Sequence, residues 1–273
     1  MDIWLPPSEG KNAPSDGPNL NLDSLSFPIL NSTRAELINA CARITEPQTA
    51  QRIFNIGAKH EAELVANRAL MNQPCAPAST VFTGVLYEAL REHNPTIWEG
   101  EDARRILIFS GIFGVLRADD MIPLHRLAMG ATLPPLGKIS SLWRRVLNEQ
   151  LKDHYAGHTI LDCRSSDYKN ACTAQWAHLW DVRVEREKDG KRSVVSHNAK
   201  KWRGILAAAL APVASTITQE IELKEALHDI IPRIHTCDAH GVTSRVKAIE
   251  VSPPRSTHVH GSTCTLTLVT AEE

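Results

Sequence analysis

Ile106, Leu107, Ile108 and Phe109 form an unbroken apolar run that feeds into Ser110, Gly111 and Gly114. This is the pattern of a buried strand with a glycine-rich exit. Two other stretches repeat it. Ile3-Trp4-Leu5 stops at Pro6-Pro7, and "HTILDCRSSDYKNAC" runs from apolar residues into polar ones at the start of a helix. Between them the period changes to that of helices, over "AELINACARI" and "PQTAQRIFNIGAKHEAELVANRAL" (Thr33 to Leu70), over a short apolar turn entering a helix at 80–90, and over "ISSLWRRVLNEQLKDHY". In the last of these, Leu142, Val146, Leu147 and Leu151 share one face. Val182/Val184 and Val194/Val195 flank Asp189-Gly190 as the arms of a hairpin, followed by a helix, and the last forty residues read as edge strands. The class is α/β, a mixed sheet flanked by helices.

Charged residues gather where the apolar runs end. The loop after Leu5, "PPSEGKNAPSDGPN", has Lys11 as its only cation, an anion contact or simply a solvated position. Its spacing is not GxxxxGK[ST], which argues against a nucleoside-triphosphate P-loop. The run at 106–109 delivers Arg117, Asp119, Asp120, His125 and Arg126 within ten residues. A third cluster is Arg164, Ser165, Ser166 and Tyr168, and a fourth, His197, Lys200, Lys201 and Arg203, opens a helix. Strand exits gather at one edge of such a sheet, so these clusters are expected to share one basic, anion-accepting cleft. Each has a plain structural alternative: Arg117 and Arg126 paired with Asp119 and Asp120, the two lysines on a solvated helix start, His125 and His197 as satisfied structural histidines, and Cys163 as a buried strand residue.

Composition narrows the partners. Thirty Lys and Arg against thirty-one Asp and Glu give a formal net charge of -1, so a polyanion can be held only by a local basic patch. The six cysteines lie far apart with no CxxC and no zinc-finger spacing, as expected of reduced cytoplasmic thiols; no metal or cofactor site is expected. No apolar run reaches the length of a membrane span, so no membrane partner is expected and the reading is of a cytoplasmic protein.

"LPPSEGK", "FTGVLYEAL", "FSGIFGVLRADDMIPLHRLAMG", "LDCRSSDY" and "VVSHNAKKWRG", in this order, resemble the YaaA family of peroxide-stress proteins across residues 1–210. The resemblance implies a single compact domain over 1–273, a positively charged cleft, DNA binding and protection from oxidative damage. It also implies a helix-hairpin-helix element, for which "RIFNIGAKHEAEL" (about 49–69) offers Gly57 between two helical segments, although Ala58 stands where the second glycine of that motif is usual. An ordinary helix-helix turn fits the same residues. Lys11, Arg117, Arg126, Tyr168, Lys200 and Arg203 fall on matching motif positions. The chain departs from the family pattern at Pro6-Pro7-Ser8-Glu9-Gly10-Lys11-Asn12, at Ala118 in place of proline, and at His125 in place of an aromatic residue.

Two functions follow. In the first, the hairpin and the cleft cations (Lys11, Gly57, Arg117, Arg126, Arg164, Lys200, Lys201, Arg203) hold duplex DNA with little sequence preference. In the second, the same cleft is an enzyme site for a nucleotide or other small anionic metabolite, with Asp119, Asp120, His125, Tyr168 or His197 moving protons. The oligomeric state is not legible.

Overall fold

The computed structural model describes residues 1–56, 61–195, 198–237 and 241–272. Its centre is a mixed sheet in the spatial order His235–Cys237, Thr243–Val251, Ser262–Glu272, His178–Lys188, Thr159–Asp162, Asp2–Leu5, Ile106–Ser110, Gly114–Leu116. The strands from Ser262–Glu272 to Ile106–Ser110 run parallel, and both flanks are antiparallel. Every residue of Asp2–Leu5, Ile106–Ser110 and Thr159–Asp162 is buried, which is why these strands read as continuous apolar runs. The hairpin turn is Asp189-Gly190, both residues with positive φ, as a tight two-residue connection requires.

One strand position differs from the sequence expectation. Ser262–Glu272 is not an edge strand: it lies between His178–Lys188 and Thr243–Val251, bonded on both sides. The apolar-polar alternation is the same for an edge strand and for an interior strand with one wetted face, so sequence alone does not separate them. Ile106–Ser110 is the buried interior strand that its apolar run predicts, bonded to Asp2–Leu5 on one side and through its own hairpin to Gly114–Leu116 on the other.

Helices cover the sheet. Val85–His93 and Ala199–Leu210 press together at Gly204, where a Cβ would fall 2.4 Å from the Leu86 carbonyl oxygen. Asp2–Leu5 occupies the switch point, with Ile106–Ser110 on one side and Thr159–Asp162 on the other. In open sheets of this kind the crevice beyond the carboxyl ends of such strands is where ligands bind.

Arg164 sits fully buried just beyond Thr159–Asp162. Its Nε and Nη2 donate to the two oxygens of Asp162, each at 2.8 Å, while Nη1 and Nη2 donate to the carbonyls of Tyr168 (3.2 Å) and Cys172 (3.0 Å). The guanidinium carbon lies 4.6 Å from the Trp4 ring centroid and 4.3 Å from that of Phe109. Burial pushes Asp162 up, but the Arg164 charge and hydrogen bonds outweigh it and hold the carboxyl below its usual range. Arg164→Ala leaves a buried carboxylate unpaired, and urea unfolding is expected to show a loss of about 3–5 kcal/mol; a loss below 1 kcal/mol would remove this pair from the framework.

Candidate functional site

A cavity of about 470 Å³ opens at the switch point. The exit of Asp2–Leu5 supplies Pro6 to Lys11, that of Ile106–Ser110 supplies Ser110 and Gly111, and that of Thr159–Asp162 supplies Cys163, Ser165, Asp167 and Tyr168. Met129 and its neighbours close one wall. The first turns of Val85–His93 and Ala199–Leu210 close another, with Gly84, Lys200 and Arg203. Gly84 has a φ of +89 with open space where a side chain would stand. A β-carbon there would be strained by the backbone rather than by crowding.

Four cations line the cavity (Lys11, Arg126, Lys200 and Arg203), against the carboxylates of Glu9 and Asp167. Arg126 is fixed at both ends. Its backbone amide donates to Asn67 Oδ1 at 2.8 Å and its carbonyl accepts from Asn67 Nδ2 at 2.6 Å, while Nη1 reaches the Glu9 carbonyl (2.9 Å) and Glu63 (3.3 Å). Arg203 directs Nε and Nη2 to the Val182 carbonyl, and Lys200 stands 3.7 Å from the Glu9 carboxylate at the exposed mouth. Lys11 Nζ donates to the carbonyls of Ser8 (3.0 Å) and Glu9 (3.5 Å) and lies 5.9 Å from the Phe82 ring. Burial, then the Arg126 charge, lowers Lys11 to about 8, against the opposing pull of Glu63 and Glu9.

His125 is buried, with edge contacts to Phe82 and Phe113. Its Nδ1 lies 2.8 Å from the Pro123 carbonyl, which can only accept, so that nitrogen carries the proton and Nε2 faces Ser110 Oγ at 3.4 Å. Burial, with the Lys11 charge added, lowers His125 to about 3, and the ring is neutral. Burial raises Tyr168 well above the ordinary phenol, against a smaller opposing pull from the Met129 backbone. Cys163, also on the wall, is pushed up to about 12 by burial and stays a thiol.

The structure divides the charged loop after Phe109. The hairpin to Gly114–Leu116 turns the chain back, so Arg117, Asp119 and Asp120 are returned toward the start of the sheet while His125 and Arg126 come to the cavity. Arg117 donates to the Arg104 carbonyl, lies over Phe27 and lines a different, wider and more open depression of about 840 Å³ with Arg104, Arg105 and His154. Asp120 accepts from the Ser26 and Arg117 amides, and Asp119 is exposed outside the cavity wall. Arg164 is occupied within the protein, and Lys201 turns to the Cys237 carbonyl. These five therefore leave the shared cleft that the sequence suggested. Gly57 and His197 lie outside the described residues, as does the turn of the expected helix-hairpin-helix, whose flanking helices are Pro47–Phe54 and Glu61–Arg68. Sequence reasoning passed over Asn67, Glu63, Ser110 and Asp167. Asn67, a lone amide within a helix, gives no local signal of its partner fifty-nine residues away.

The model of the family described as "Peroxide stress protein YaaA" matches residues 1–229. The chain belongs to this family. Similar proteins include a UPF0246 protein of Streptomyces coelicolor, 34% identical over 238 residues (84% of this chain and 90% of that one), and one of Corynebacterium efficiens, 37% identical over 226 residues (81% and 90%). An uncharacterized protein of Campylobacter jejuni is 29% identical over 219 residues (77% and 85%). Among the described residues of this YaaA-family chain, no helix is long and apolar enough to cross a membrane and no cluster of His, Cys, Asp and Glu could hold a metal ion.

The buried neutral His125 gives the family member an acid-sensitive core. Its pKa is about 3 when folded and the ordinary 6.5 when unfolded, so its contribution is complete above about 6.5 and is lost as pH falls toward 3. Thermal unfolding is expected to show a midpoint that declines below pH 6.5, and His125→Phe, which keeps a ring between Phe82 and Phe113, is expected to flatten that decline. An unchanged acid slope in the variant would exclude His125 as its source.

Proposed function

We propose that this peroxide-stress family member binds a small phosphate- or carboxylate-bearing metabolite, of nucleotide size, in the switch-point cavity and acts on it there. The observation that carries this reading is the enclosure of four cations in about 470 Å³, a volume suited to a small ligand and not to a duplex. Arg126 offers a fixed guanidinium, Lys200 a charge at the mouth, and Tyr168 a phenol that keeps its proton. A substrate anion held by the cations would face the polar wall of Ser110, Ser165 and Tyr168.

A second reading keeps duplex DNA as the ligand. It is favoured by the placing of Phe54 and Asn55, at the end of Pro47–Phe54, on the cavity wall, which brings the segment leading to Gly57 to the same side as Lys200. In that arrangement the basic mouth would hold backbone phosphate, and protection of DNA would follow from coverage rather than chemistry.

Calorimetric titration with adenosine monophosphate and filter binding of duplex DNA over a salt series separate the two. The small-ligand reading expects nucleotide binding that Arg126→Ala weakens by about 10- to 100-fold, the worth of one or two lost charge-assisted hydrogen bonds. Salt-sensitive duplex binding that the Lys200→Ala/Lys201→Ala double variant weakens, with no binding of the nucleotide, would overturn it in favour of DNA.

A further inference from the structure

Lys11 differs from the other cations of the cavity in how its terminal nitrogen is held. The backbone carbonyls of Ser8 and Glu9 take two hydrogen bonds from Nζ, and no carboxylate among the described residues forms a direct ion pair with it. A neutral amine has two N–H bonds and one lone pair. With both hydrogens directed to those carbonyls, the lone pair is left for the remaining direction, on a side chain that lines the cavity. The surroundings work against a third proton. Arg126 presses its charge on the nitrogen, His125 is neutral, Phe82 offers only a ring face, and Glu63 and Glu9 give partial compensation. Glu63 is already engaged with Arg126, and the Glu9 carboxylate is turned outward beside Lys200.

We propose that Lys11 is a nucleophilic amine that condenses with the carbonyl group of an anionic aldehyde or oxo acid held in the cavity, forming an imine. The proposal rests on the small-anion reading of this site and gives it a substrate class. Nζ attacks the carbonyl carbon, the new C–N bond forms as the π pair moves to oxygen, and transfer of a proton from nitrogen to oxygen gives the carbinolamine. The nitrogen lone pair then expels the hydroxyl, which leaves as water on taking a proton from an acid of the cavity wall, and the resulting iminium N–H returns a proton to that group to leave the neutral imine. The imine is cleaved by the reverse addition of water, so no oxidant or reductant is consumed. Tyr168, a phenol on the cavity wall that keeps its proton, is assigned as the acid for the departing hydroxyl and takes back the iminium proton. Arg126, Lys200 and Arg203 hold the anionic end of the substrate. The lowered pKa of about 8 leaves a useful fraction of free amine near neutral pH, where an ordinary lysine has almost none.

The test uses pyridoxal 5′-phosphate, an anionic aldehyde, on the native chain. Incubation is followed by borohydride reduction and peptide mass mapping, with calorimetry of inorganic phosphate binding run in parallel. The expected result is labelling at Lys11 at least about tenfold faster than at any other lysine at pH 7.5, slowed by phosphate, with a rate that rises with pH along a curve centred near 8. Lys11→Arg, which keeps the charge and removes the nucleophile, is expected to abolish the selective label while retaining phosphate binding. Phosphate binding with label spread over surface lysines would overturn the imine proposal and leave the cavity reading standing. Absence of both phosphate binding and selective labelling would overturn the two together.

Discussion

The Arg164–Asp162 pair is the constraint on which the site depends. A guanidinium placed under a sheet, away from water, is tolerated only when its donors are satisfied and its charge is balanced, and here the partner is two residues away at the end of the same strand. Satisfying the remaining donors requires the carbonyls of Tyr168 and Cys172, so the chain must bend back over Arg164 as Ser166–Ala171. That bend carries Cys163, Ser165, Asp167 and Tyr168 to the cavity. Trp4, on the adjacent strand, and Phe109, on the strand beyond it, clamp the guanidinium and fix the three strand exits relative to one another.

The same economy governs the cations that do face the cavity. Arg126 is held by Asn67 at its backbone and by Glu63 and the Glu9 carbonyl at its head, so its side chain keeps little rotamer freedom. Burial pushes Cys41, Cys163 and Cys264 up to about 12 and Cys75 and Cys172 up to about 11, which keeps these sulfurs protonated and slow to react with peroxide.

The parts of the fold legible in the sequence are those governed by local periodicity. The three buried runs, the helix carrying Leu142, Leu147 and Leu151, and the Asp189-Gly190 turn have their explanation within a dozen residues. The gathering of Lys11, Arg126, Tyr168, Lys200 and Arg203 around one cavity follows from strand exits sharing an edge, a rule of topology applied to local signals. What sequence reasoning placed differently were decisions between equals. Arg117 and Arg126 look alike in sequence, and only the reversal at Gly114–Leu116 sends one to each end of the sheet. Arg164 reads as a ligand contact because arginines are seldom buried, and its clamp of Trp4 and Phe109 is built from residues some 160 and 55 positions distant.

The interior position of Ser262–Glu272 also sets an order of assembly. Thr243–Val251 and His235–Cys237 reach the rest of the sheet only through that strand, whereas Asp2–Leu5, Ile106–Ser110, Thr159–Asp162 and His178–Lys188 pair with one another directly. As the chain leaves the ribosome, the half that carries the cavity can therefore close first. The flank of His178–Lys188 is covered only by Ser262–Glu272, the strand that also carries Thr243–Val251. An unpaired flank of that length is a template for pairing with another chain, and Ser262–Glu272 is the strand that closes it.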